Sequence, residues 1–460
     1  MMRPLNAICW TLLALSCGCG PHTDESPRSD SDTSTDRSEM SVLRDGELPL
    51  SQLRSGVAHV KPDLYSTIFA DLARRSRVVL PHISNEEHLQ SDVASNPGYL
   101  GPDACAECHP SHYDSCLETA HYQTSSLTVT DSPLAGDVPA RIESGEEKLW
   151  YRIDRQNDQL LQSVVVEEDG QNFVRSFPIS IITGSGRHGQ TYLTWFEDSL
   201  FQLPVSHVTA GNTFMHSPGF QPGVANFARP VSARCLECHA TWFSQVSDSV
   251  NRFSVNDAIT GVTCEVCHGP GRDHVAFHHE QPDEDEARHI VNPHSLPRER
   301  LIALCSLCHG GAGERLQTAF SFRPGDRLDE HVQLAEDAGE HGPMGVHAAN
   351  QAARLARSKC FQMTEMSCTD CHDVHTPEGP PASFARNCLS CHETEHCSEV
   401  DRLGDAFSER CVDCHMPLRG DDQIRFHTQS GDFVPALRDH FIAIWPDVAK
   451  EVASDRESRP

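Results

Sequence analysis

Three apolar runs, residues 149–153, 160–167 and 173–182, are short, rich in Val, Ile, Phe and Tyr, and separated by polar turns at Gln156, Asn157 and Asp158 and at Asp169 and Gly170. Short β-branched and aromatic runs bounded by turn residues predict a small antiparallel β element. Residues 46–98 follow another rhythm: Leu64, Ile68, Phe69 and Leu72 recur at helical spacing, and Asn96-Pro97-Gly98 closes the segment. Helices are expected there. From residue 231 onward Gly and Pro recur between brief helix-permissive stretches such as 351–359, which predicts loops and short helices. At the start, Met1-Met2-Arg3 precedes an apolar stretch, 7–15, of the length of a secretory signal core and too short to span a bilayer. Residues 21–39, rich in Ser, Thr and Asp, read as a flexible tether.

Composition shifts the emphasis from side-chain packing to ligation. The 460 residues include 20 cysteines and 28 histidines, and 37 basic side chains stand against 66 acidic ones, a formal net charge of −29. That balance excludes nucleic acid as a partner. It suits steering of a basic redox partner protein, and it equally suits plain solubility.

The spacing C-x-x-C-H supplies two thiols and an imidazole from one turn, which is what covalent attachment of a c-type haem requires. Seven copies occur: Cys105, Cys108 and His109; Cys235, Cys238 and His239; Cys264, Cys267 and His268; Cys305, Cys308 and His309; Cys368, Cys371 and His372; Cys388, Cys391 and His392; and Cys411, Cys414 and His415. At these frequencies random placement yields roughly one-twentieth of a match. A zinc array would pair C-x-x-C units at fixed distances, whereas these stand at irregular gaps and each is followed by His. Seven covalent haems c are therefore expected.

The motifs consume seven histidines and leave twenty-one, against eight methionines, of which Met1, Met2 and Met40 precede every motif. Bis-histidine ligation is expected to dominate, with low potentials relative to His/Met centres. The distal candidates are His121, His188 in a Gly-rich run, His274, His347, His375 and His427. His207, His216, His278 and His440 compete for the seventh place. Outside the motifs and the signal region remain Cys116, Cys360 and Cys397. A Cys360 to Cys397 disulfide and three free thiols are both open readings.

The run Leu13-Ala14-Leu15-Ser16-Cys17 resembles a bacterial lipobox, with Cys17 or Cys19 as the lipidated residue and a lipid anchor to a membrane as its consequence. Ordinary signal cleavage beside incidental cysteines is the competing reading. The expected organisation is a signal over 1–19, a linker over 20–45, a helical segment over 46–98, the first haem segment over 99–135, a β-rich insert over 136–230, a six-haem domain over 231–440 and a tail over 441–460. As a fold class this is a mostly α and irregular chain, low in regular structure, with a small β-rich insert between the first and second haem sites.

Tyr99-Leu100-Gly101 before the first motif, Tyr113 and His121 after it, CEVCHGPG with His274, Ser358-Lys359-Cys360-Phe361 before CTDCHDVH, CLSCH with Cys397 downstream, and CVDCHMP with His427 and His440 behind it resemble the multihaem cytochromes of the c-552/c-554 kind. One departure is Cys116, where that family usually carries a large aromatic. The resemblance implies that His121, His274 and His375 are distal ligands and that the haems stack in pairs forming a wire. The leader-like start leads to the expectation of an exported protein, periplasmic or at the outer surface. The resemblance leaves two activities open: electron transfer in a respiratory or redox chain, and oxidation or reduction of a small nitrogen or sulfur compound at an open-coordinate haem. No motif ends in Lys, and the last tyrosine is Tyr192, which disfavours the lysine-ended and tyrosine-linked enzyme classes among such relatives.

Overall fold

The computed structural model describes residues 78–81, 92–128, 134–335, 345–403, 408–420, 426–428 and 431–457. The signal and linker expectations, Cys17 and Cys19, and the helical spacing of Leu64 to Leu72 lie outside these residues. Two-residue turns build the first sheet. Asn157 and Asp158, at φ 45° and 63°, join Leu149–Gln156 to Gln159–Glu168, and Asp169 and Gly170, at φ 52° and 75°, join the latter to Gln171–Pro178. Two successive positive φ values match the right-handed twist of a hairpin, which is why Asn, Asp and Gly occupy them. With Ala140–Glu146 the three strands form a four-stranded antiparallel meander, in register from Gln156 opposite Gln159 and Glu168 opposite Gln171.

A second sheet of seven strands runs Thr213–His216, Val205–Val208, Gly189–Phe196, Ile181–Thr183 and Ser125–Leu127, with Ser199–Gln202 and Arg229–Pro230 branching from Gly189–Phe196. Alternation along its strands sends neighbours to opposite faces. Ile182 and Tyr192 join Tyr151, Val164, Phe177 and Phe227 in one core, and Ile181 and Leu193 join Leu200, Trp242, Phe253 and Phe320 in another. Both faces are thus covered, and each fully buried large side chain contributes about 1.5–3 kcal/mol.

Glycines in the run Gly184-Ser185-Gly186-Arg187-His188-Gly189 serve this sheet. A Cβ on Gly189 would run into the carbonyl oxygen of His207, and one on Gly184 would press on the backbone of Gly189. The run permits close strand approach.

The fold is richer in strand than the sequence reading expected. Among the described residues strand accounts for about 29% and helix for about 30%, so a mostly α and irregular chain with one small β insert is overturned. Ser125–Leu127 enters the large sheet from the first haem segment, and Val78–Val79 pairs in parallel with Ala225–Asn226. Beyond residue 231, Ala240–Gln245 pairs with Phe253–Thr260, and short hairpins link Gly313–Arg315 to Val332–Leu334 and Leu418–Gly420 to Ala436–Arg438. Three-residue strands carry too few alternating positions for periodicity to register. The helix-permissive stretch 351–359 does contain helix, at Gln351–Leu355 and from Lys359.

Candidate haem attachment and ligand sites

Most motifs ride on a short helical turn: Asp103–Ala106, Ala233–His239, Cys264–His268, Arg298–His309, the 3₁₀ turn Cys368–Asp370, Ala385–Leu389 and Cys411–His415. Residues three apart lie on one helix face, so the two cysteines of a motif present their thiols side by side. All fourteen are free, and none is fully buried.

Five motif histidines have Nδ1 tied by a partner. His268 pairs with the Val291 carbonyl at 2.8 Å, His309 with that of Ala348 at 2.6 Å, and His415 with that of Ala443 at 2.9 Å. His239 meets Thr124 Oγ1 at 3.0 Å and His372 meets Glu378 Oε1 at 2.9 Å. An acceptor on Nδ1 puts the ring proton there and leaves the Nε2 lone pair for a metal.

Second imidazoles stand opposite several of these rings. Ring centroids are 6.1 Å apart for His121 and His309, 6.1 Å for His268 and His375, and 5.9 Å for His372 and His440. Two imidazoles bound at about 2.0–2.1 Å on opposite sides of one metal place their centroids roughly 6 Å apart. His347 lies close enough to His239 to disfavour its protonation. Desolvation holds His239, His268 and His440, each half-buried, below the ordinary imidazole range, which keeps them in the neutral form a metal accepts. His372 is the exception: its hydrogen bond with Glu378 raises it, and the same bond lowers Glu378. Thiol pairs, Nε2-directed imidazoles and facing rings together fit a c-type haem, which would supply one-electron iron chemistry.

The other expected ligands are placed less uniformly. His274 has Nδ1 at 2.8 Å from the Arg288 carbonyl and its ring 4.7 Å from that of His278. Nδ1 of His347 accepts the Ala349 amide at 3.0 Å and caps a helical turn. His188 is exposed, and no imidazole ring pairs with it among the described residues. His427 lies on the strand Phe426–Thr428, and its side chain is outside the description. Of the four reserves, His440 meets a motif ring, whereas His207 and His216 are 2% and 7% exposed within the large sheet, His207 on Asn212 and His216 edge-on to Tyr151.

Sequence reasoning missed two acids inside motifs. Glu265, 2% exposed, accepts the amides of Leu100, Gly101 and Gly271. Glu237, 6% exposed, accepts the Phe320 amide at 2.8 Å. Each clamps a motif to a distant segment. The signal was an acidic residue between two cysteines. Glu378, the partner of His372, carried none.

Thiols of different motifs also meet. In the pairs Cys105 and Cys264, Cys238 and Cys308, Cys305 and Cys368, and Cys388 and Cys411, the nearness of the two thiols pushes one up and its partner down. Cys116 joins Cys264. Cys360 neighbours Cys371 and Cys388, whereas Cys397 neighbours Cys414; both are free thiols.

The model of the family described as cytochrome c554 and c-prime matches residues 221–269, which hold the second and third motifs. No curated protein matches the chain. Among solved structures, the outer cell wall cytochrome OcwA is 14% identical over 77% of this chain and 81% of its own, with a TM-score of 0.48. An undecahaem cytochrome from the S-layer of Carboxydothermus ferrireducens is 13% identical over 87% of this chain, with a TM-score of 0.33; the match spans 63% of that longer protein, under two thirds. Seven complete attachment motifs, together with a family match across two of them, make this chain similar to the multihaem c-type cytochromes.

Proposed function

We propose that the chain is an exported electron-transfer protein that carries seven covalent haems c and holds their irons chiefly between pairs of imidazoles. The observation that carries this reading is the set of facing rings at 5.9–6.1 Å whose motif members have Nδ1 occupied. In this reading His121 serves the fourth site, His375 the third, His440 the fifth and His347 the second. His274, His188 and His427 remain candidates for the others, His188 being the weakest because it is exposed. An iron with an imidazole on each face offers substrate no coordination position, so outer-sphere electron transfer is the chemistry left to it.

Export and anchoring rest on the leader-like residues 7–15 and on Cys17 or Cys19. No helix among the described residues is long and apolar enough to cross a membrane. The partner is a redox protein, and the charge of −29 suits one with a basic face. The test is electron paramagnetic resonance of oxidised holoprotein matured in a periplasm. Low-spin ferric signals unshifted by nitrite, hydroxylamine or sulfite are expected; a high-spin haem that binds one of these and turns it over would favour an oxidoreductase.

A further inference from the structure

We infer that the seven attachment sites form a branched network in the order one, three, four, five, six, seven, with site two joined to site four, so that site four is a three-way junction and sites one, two and seven are its ends. This rests on the heptahaem reading above and goes beyond it by assigning neighbours.

Each link has its own geometry. Sites one and three are clamped by Glu265, between Cys264 and Cys267, whose carboxylate accepts the Leu100 and Gly101 amides at 2.9 and 2.7 Å just before the first motif. Sites three and four share an apolar cluster in which Cys267 and Cys308 pack with Leu304, Leu307 and Phe322. Sites two and four are joined by Arg234 Nη2, donating to the Leu307 carbonyl at 2.6 Å, and by Cys308 Sγ at 3.7 Å from the Glu237 carbonyl. Sites four and five are joined by Arg298, which opens the helix bearing Cys305 and donates at 2.8 Å to the carbonyls of Phe361 and Met366, just ahead of Cys368. Asn387 Nδ2 reaches the Cys371 carbonyl at 3.5 Å, linking five to six. The turn Ala385–Leu389, which bears Cys388, packs against Cys411–His415 and so links six to seven.

Sites three and four are each held toward two neighbours. At site three Cys267 packs in the cluster shared with site four while the adjoining Glu265 grips the segment before site one; at site four Cys308 lies against the Glu237 carbonyl of site two while Arg298 of the same helix reaches the segment before site five. Cys108 at site one and Cys235 at site two are exposed, as is Cys391 at site six. Thioether corners would mark the edges of a bound macrocycle, so sites clamped together in this way would hold their haems close to one another. What travels along the network is one electron at a time, one centre oxidised as its neighbour is reduced, with no bond made or broken. A junction gives a single entry point two exits.

Iron positions from anomalous scattering on crystals of the full-length holoprotein test this. The expected map has seven irons, assigned by the motif each adjoins, with the site-four iron nearest to those of sites two, three and five. Seven irons strung in sequence order, or a site-four iron with only two near neighbours, would overturn the branched order while leaving the heptahaem reading intact. Fewer than seven irons would remove that reading and the network with it.

Discussion

The carboxylate of Glu378 lies 2.9 Å from Nδ1 of His372, the imidazole that closes the fifth motif. Other tied motif histidines have a neutral oxygen there. A negative charge on Nδ1 pushes density onto Nε2, which stabilises ferric over ferrous iron. Glu378→Gln is therefore expected to raise the reduction potential of one centre and leave the rest in place, read as one displaced step in a spectroelectrochemical titration.

His207 is buried and His440 half-buried, yet it is His440 that lies against a motif ring while His207 sits in a sheet. His440→Ala should convert one low-spin ferric centre to high spin. His207→Ala should leave the haem spectrum unchanged and lower the thermal midpoint, because its contacts are to Asn212 and Phe214.

Arg354 donates twice to Asp439, at 2.6 Å to each oxygen, and Asp439 is fully buried. This pair fastens the helix Gln351–Leu355 to the segment that presents His440. Breaking one partner strands a buried charge, so Asp439→Asn should cost about 3–5 kcal/mol in guanidinium unfolding. It should also broaden the spectroscopic signature assigned to site five.

Gly189→Ala brings a methyl against the His207 carbonyl. Overpacking of this kind costs about 1–3 kcal/mol. Haem content by pyridine haemochrome should not change, since the glycine serves a strand crossing.

Intact mass of holoprotein should exceed the processed chain by seven haems. Cys235→Ala together with Cys238→Ala should remove one. A preparation carrying zinc and no haem would contradict every assignment above.

The attachment motifs are local: five consecutive residues propose a site whatever surrounds them. The turns Asn157-Asp158 and Asp169-Gly170 were legible for the same reason, each needing only two left-handed residues. Partners were not. His121 follows the first motif by a dozen residues, and nothing in the sequence says which haem it serves; its ring lies 6.1 Å from that of His309 of the fourth. His188 drew attention through its glycines, whose close approaches are to neighbouring strands. His440 was only one of four reserves, because nothing within its segment announces that Ser358 and Arg354 hold that segment against the fifth motif. Such pairings are settled by tertiary packing, which a single sequence does not display.

The facing of His121 with His309, and of His372 with His440, has a bearing on how the molecule comes into being. If the chain is exported amino end first, as proposed, His121 would emerge long before His309, and His372 before His440. Each early ring would then wait with its counterpart still on the far side of the membrane. Contacts of such long sequence separation close slowly, and until they close the exposed thiols and apolar edges invite mispairing. The seven-stranded sheet between the first two motifs draws on no cofactor for its core, so it can set early and hold the first segment in readiness. Newborn molecules halted before residue 440 would then carry a finished sheet beside a fifth site still lacking its second imidazole.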